Sequence, residues 1–225
     1  MQALWGAGPL LVQGLGVTIG VAVLALALAT ALGALAAAAR LGGGPVSRGA
    51  AAAYTTAVRG IPDLVTILIV YFAGQRAVNA AAAAVGLEGV ELSIFWAGVL
   101  AIGFIYGAYM AETFRGAYQS VPRGQIEAAV ALGLSRRRMF WRIIVPQTMR
   151  LALPGYANVW QVLVKSTAVV SVIGLSDLVG LALKVGRRER DPFTFLVVVL
   201  VAYLLITAVS GWAFQRAERR LARGA

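Results

Sequence analysis

"EAAVALGLSRRRMFWRIIVP", residues 127–146, is a basic island inside a chain that is otherwise apolar. "EAAVAL" is made of good helix formers, and Glu127 is expected in a first turn, where the helix dipole favours an acid. Gly133 stands where a helix C-cap needs positive φ, and Ser135 where an N-cap needs a hydroxyl. In the second helix Met139, Ile143 and Ile144 share an apolar face while the arginines sit mostly elsewhere, and Pro146 lies near its end. The expected product is helix, tight turn, helix. What surrounds it decides what it is for.

The 225 residues are 60% hydrophobic and only 13% charged, with a mean hydropathy of +0.82. A soluble domain carries about 25% charge, so the composition is that of an integral membrane protein. Cysteine and histidine are absent, which removes disulfides, thiol nucleophiles, Cys/His zinc sites and Ser-His-Asp chemistry. No G-x-x-x-x-G-K-[ST] stretch occurs, so the chain has no P-loop. The formal charge of +11 fits basic cytoplasmic loops better than nucleic-acid binding.

Five apolar spans are expected, at about residues 9–39, 50–74, 92–113, 151–175 and 193–214, since a crossing needs roughly 20 residues. The first lacks the basic n-region of a signal peptide and reads as a retained anchor. "RLGGGPVSR" (40–48) is a turn. "RGIPD" (59–63) interrupts the second span, and "QRAVNAAAAAVGLEGVE" is a less apolar connection with room for a short surface helix. "GRRERDP" (186–192) is a loop. An odd number of spans puts the termini on opposite sides. With the N-terminus outside and the C-terminus in the cytoplasm, the inner segments hold thirteen of the twenty Lys/Arg and the outer ones five. That bias favours this orientation, although Lys184, Arg187, Arg188 and Arg190 dissent.

On residues alone the island has three readings: a DNA-reading helix-turn-helix, an amphipathic helix resting on anionic lipid, or a docking element for a cytoplasmic partner. Spans on both sides pin it to the membrane, which disfavours the first. Its pattern of Glu127, Ala128, Ala129, then Gly133, then a basic amphipathic stretch ending in Pro146 resembles the EAA loop of permease subunits in ATP-binding-cassette (ABC) importers. "VRGIPDLV", "GAYMAETFRGAYQSVPRGQIEAA" and "NVWQVLVKSTAVVSVIGLSDLV" are similar to polar amino-acid importer permeases, especially the histidine and lysine/arginine/ornithine branch. The resemblance implies an all-α, polytopic type I importer permease (MetI-like), a single membrane domain over residues 1–225 with a coupling loop at about 115–150. Glu127, Ala128, Ala129, Gly133, Leu134 and Ser135 would seat in an ATPase subunit. It also implies a bacterial inner-membrane location, two ATPases that bind ATP and Mg, an extracytoplasmic amino-acid-binding protein and a second homologous permease, a heterodimer being expected. No cofactor, metal, catalytic residue or nucleic acid is expected for this chain.

Ionisable groups at membrane depth are costly and usually face a pathway or a partner. Arg59, Asp63, Glu112, Lys165 and Asp177 are the candidates. Arg59 and Asp63, spaced i, i+4, form either a gate or a local ion pair. Glu112 and Arg115 read as a structural pair at the inner boundary. Lys165 stands mid-span beside Ser166 and Thr167, and the resemblance places "KSTA" near the translocation path. The expected site is therefore Arg59, Asp63, Lys165, Ser166 and Thr167, carrying a polar and basic amino acid. The rivals are an ion-gradient-driven secondary transporter, a structural adaptor without a pathway, and a permease for a non-basic amino acid or an opine.

Overall fold

The computed structural model describes residues 2–87 and 90–222, and these contain helices and connections but no strand. The helices are α1 (Gln2–Gly42), α2 (Pro45–Gly60), α3 (Asp63–Ala84), α4 (Ile94–Gln119), α5 (Arg123–Ala131), α6 (Arg136–Met139), α7 (Val145–Ser166), α8 (Leu178–Arg188) and α9 (Pro192–Ala222). Among the described residues, five segments are long and apolar enough to cross a membrane: Gly6–Gly42, Asp63–Ala84, Ile94–Gln119, Arg136–Ile173 and Pro192–Leu221.

The second expected span needs correction. Pro62 has no N–H to continue a helix, and it drives Ile61 into extended backbone (φ −105°, ψ 138°). The segment therefore divides. α2 is amphipathic and buries Ala51, Thr55 and Val58. The crossing segment is α3, which runs on through "QRAVNAAAAA" to Ala84, where the sequence suggested a connection. Alanine's high helix propensity explains the extension. Glu88 and Gly89 of that stretch lie outside the described residues.

α4 is the central helix, packed most extensively against α1 and then against α7, α3 and α2. Small residues permit the close approach. A Cβ on Gly103 would fall 2.6 Å from Leu28, and one on Gly107 would fall 2.6 Å from the Tyr54 hydroxyl. Gly103 and Gly107 form a G-x-x-x-G pair, a known device for bringing membrane helices together. Around this seam Val21, Ala25, Ile102, Ile105, Met110 and Leu163 form the core. A second cluster joins Leu11, Leu178, Ala182 and Phe195 at the N-terminal ends of α1, α8 and α9.

The ends sort cleanly. Glu112 in α4 binds both Arg40 of α1 and Arg115. The Tyr156 ring contacts those of Phe114 and Phe214. The C-terminal ends of α1, α4 and α9 thus meet the first half of α7 at one end of the bundle, while Leu11 of α1 meets α8 and Phe195 at the other.

In the island, α5 closes with hydrogen bonds from Gly133 N to Val130 O (2.9 Å) and from Leu134 N to Ala129 O (3.1 Å). Gly133 takes φ +69°, the left-handed geometry that this cap requires. Three expectations change. α5 starts at Arg123, so Glu127 lies beyond the first turn and gains little from the helix dipole. Ser135 occupies the N-cap position of α6, but its side chain makes no capping hydrogen bond. Pro146 does not end the helix. A π-helical turn (Phe140–Ile144) precedes it, widening the backbone where the proline ring would otherwise strike the carbonyl four residues back. The path continues into α7, so the fourth crossing begins at Arg136 rather than near Leu151.

α8, which the sequence left as loop, is amphipathic and buries Leu178, Ala182 and Gly186. Asp177 is its N-cap and accepts from Gly180 N at 3.0 Å.

Candidate functional site: a carboxylate at a broken membrane helix

The break between α2 and α3 falls against the middle of α4. Asp63, the first residue of α3, is half-buried there. Its Oδ2 accepts from the Tyr106 hydroxyl at 2.9 Å and from Ser166 Oγ at 2.9 Å. The Tyr106 and Ser166 hydroxyls also lie within hydrogen-bonding distance of each other, so with one proton apiece they share two hydrogen bonds among these three contacts when Asp63 is ionised. Tyr106 is only 2% exposed, so its hydroxyl needs a partner within the bundle. Ser166 closes α7, after which the backbone tightens into a 3₁₀ segment, Thr167–Ile173. Two irregular backbones therefore meet at one buried tyrosine. Irregular backbone at membrane depth persists where it is enclosed by protein or lines a polar cavity.

The expected residues separate into groups. Asp63 and Ser166 come together, joined by Tyr106, which the sequence reading missed. A tyrosine in an apolar span looks like core, and only its unsatisfied hydroxyl would have marked it. Arg59 does not pair with Asp63. Its guanidinium lies 5.3 Å from the Tyr109 ring centroid, and Tyr109 stacks on Tyr106 at 5.5 Å. The helix break between Arg59 and Asp63 removes the i, i+4 geometry that a local pair requires. Thr167 turns inward, where its hydroxyl bonds Tyr203 at 3.0 Å and Val164 O at 2.7 Å. Lys165 is exposed and has no hydrogen-bond or ion-pair partner among the described residues. It lines a cavity of about 380 Å³ with Ala168, Val179, Tyr203 and Thr207.

The other candidates are accounted for differently. Glu112 holds Arg40 and Arg115 in a cross-helix network at the basic end, to which Thr55 adds a bond from Arg40 at 3.3 Å. Asp177 lies beyond the crossing segments and is fully buried. Burial raises its pKa, against the lowering effect of bonds from Ser171 and Gly180.

The arrangement sets an acid among hydroxyl groups, where its oxygens can accept from a cation or another hydrogen-bond donor. Neither a histidine nor a cysteine is available to activate Ser166, and no cluster among the described residues would hold a metal.

A second surface lies on α5 and the following turn. Glu127, Ala128, Gly133 and Ser135 are exposed, whereas Ala129 is buried and Leu134 half-buried. Val130, Leu132 and Trp141 present apolar side chains, with Leu132 80% exposed. Arg136, Arg137 and Arg138 rim them. An apolar patch with a polar rim is the form of a protein contact surface.

Comparison with known proteins bears on both surfaces. A family model described as "binding-protein-dependent transport system inner membrane component" matches residues 29–223. The chain is 42% identical to the histidine/lysine/arginine/ornithine transport system permease protein HisQ of Escherichia coli (strain K12), over 98% of this chain and 97% of that one. It is 42% identical to the octopine transport system permease protein OccQ of Rhizobium radiobacter, covering 92% and 88%. The crystal structure of an amino acid ABC transporter with histidines superposes with a TM-score of 0.84 at 28% identity, over 97% of each chain. The MetNI methionine ABC transporter in an inward-facing form shares the fold, with a TM-score of 0.70 at 17% identity and 97% coverage of each chain.

Proposed function

The chain belongs to the binding-protein-dependent transport system inner membrane components, and from that premise we propose that it carries a basic amino acid through an ABC importer. It is a permease subunit with the type I importer fold. The cargo is of the histidine, arginine, lysine and ornithine class, as the names of its relatives suggest. An opine is the second reading, favoured by the octopine relative.

One observation carries the cargo assignment. Asp63 sits at a broken membrane helix, half-buried, and its partners among the described residues are two neutral hydroxyls. A half-buried carboxylate with no ion-pair partner among the described residues favours a cationic visitor in a low-dielectric passage. Lys165, next to Ser166 and without an ion-pair partner among the described residues, is suited to the cargo's carboxylate or to a gate.

The rest of the machine follows from the permease's needs. Lys165 is exposed on a crossing helix and Arg59 on amphipathic α2 beside the bundle, and a lipid-facing cation at membrane depth is expensive. Their faces therefore meet water or another subunit, which fits a passage between two permease chains. A heterodimer with a second, similar permease is the expected pair. The end bearing the basic island is assigned to the cytoplasm by charge, putting the N-terminus outside and the C-terminus inside. The α5 surface, with Glu127, Ala128, Ala129, Gly133, Leu134 and Ser135, docks one of two ATPases. Those subunits bind ATP and Mg, and an extracytoplasmic binding protein delivers the cargo.

The test is Asp63→Asn in the reconstituted importer, comparing uptake of arginine with uptake of glutamine. A loss confined to arginine supports contact between Asp63 and the cation. Equal losses would make Asp63 structural, and no loss would remove it from the site.

A further inference from the structure

Asp63 and the two tyrosines leave a residue to be explained. Arg59 is exposed, on a helix that packs against the membrane core, and the contact recorded for it is with an aromatic ring. No carboxylate among the described residues pairs with it. Asp63 lies just across the helix break, and both hydrogen bonds it receives fall on Oδ2. Oδ1 receives none from the described residues.

An arginine held over a ring beside an acid with an open oxygen has the form of a bound ligand. A guanidinium or ammonium is attracted to the face of tyrosine as well as to a carboxylate. Tyr106 and Tyr109 stack with an interplanar angle of 28°, so Tyr109 offers a ring face and Tyr106 the hydroxyl that orients Asp63.

We propose that Arg59 is a built-in stand-in for the cargo's cation: its guanidinium occupies the Tyr109 ring face that the cationic side chain of the amino acid takes during transport. The proposal rests on the reading of Asp63 as the cation's counter-charge. Arg59 is the penultimate residue of α2, immediately before the break at Ile61 and Pro62, so a change in backbone at the break swings its side chain off the ring. Cargo and Arg59 are then mutually exclusive. The empty passage is held in a neutralised state, and cargo must displace Arg59 to enter. A weak resident cation lowers the affinity of the passage, which helps a transporter release what it carries.

The mutual exclusion is tested by equilibrium binding of labelled L-arginine to the assembled importer in nanodiscs, with L-glutamine as the neutral competitor. Arg59→Gln removes the stand-in, and arginine should bind about tenfold more tightly, the scale of one cation–π contact. Glutamine binding should stay the same. Arg59→Lys keeps a cation and should stay close to the unaltered protein. Tyr109→Leu removes the ring and should weaken arginine binding even though Arg59 is freed. Equal or weaker arginine binding in Arg59→Gln, with the importer assembled normally, would overturn the proposal. Asp63→Asn separates the two ideas. If it spares arginine binding, the counter-charge reading fails. If it selectively weakens arginine binding while Arg59→Gln changes nothing, only the stand-in fails.

Discussion

At the residue scale, the hydroxyl of Tyr106 is the hinge of the candidate site, because it binds Asp63 and Ser166 at once. Tyr106→Phe keeps the ring and its stack on Tyr109 while deleting that hydroxyl. The lost hydrogen bond is worth about 1 kcal/mol, or roughly fivefold. Arginine uptake should fall by about that factor, with glutamine uptake less affected, and a transport assay on the reconstituted variant checks it. The acid and the serine were legible in the sequence because polar groups in apolar spans stand out. Tyr106 was not, since half its character is apolar. The spacing of Arg59 and Asp63 suggested a pair, but spacing predicts contact only along an unbroken helix, and Pro62 breaks this one.

At the element scale, the turn after α5 and the cap of α8 make separate predictions. A Cβ on Gly133 would meet no atom within 4 Å, so any effect of substitution comes from the backbone. Holding a β-branched residue at φ +69° costs roughly 1–2 kcal/mol. Gly133→Val should insert normally but lose the copurifying ATPase, while Gly133→Asn, which tolerates left-handed backbone, should retain it. Copurification from membranes reads both.

Asp177 caps α8 from a fully buried position. Burial raises its folded pKa above the unfolded value of about 3.9. Its contribution to stability is therefore complete below the unfolded pKa and is lost as pH rises through the folded one. Asp177→Asn keeps Oδ1, which accepts from both Ser171 and Gly180, and asparagine is an equally good cap. The variant should be more stable than the unaltered protein at pH 7, with the gap closing toward pH 4. Thermal unfolding across that range measures it, and a gap independent of pH would contradict the burial argument. Helix breaks at Pro62 and the turn at Gly133 were visible in advance, because proline and glycine act locally. The extension of α3, the π-helical turn before Pro146 and the whole of α8 were not. Each depends on neighbours: α8 becomes a helix against α1 and α9, where its apolar face is covered.

At the scale of the molecule, five crossings put the termini at opposite ends, and the network of Arg40, Glu112 and Arg115 gathers the basic loops at one of them. The span count was readable from apolar run length, since bilayer thickness sets it, and the fold from the resemblance carried by the island and the segments around it. The G-x-x-x-G seam at Gly103 and Gly107, which sets how closely α1 approaches α4, was overlooked because glycines in a glycine-rich chain carry little contrast. This permease is proposed to move a basic amino acid using ATP supplied by a partner. The most direct measurement is uptake of labelled arginine into proteoliposomes holding the assembled importer, with its binding protein on the outside and ATP enclosed. Uptake that requires both enclosed ATP and the binding protein, and that greatly exceeds glutamine uptake, is the expected result. Arginine uptake driven by an ion gradient without ATP, or glutamine uptake equal to that of arginine, would contradict it.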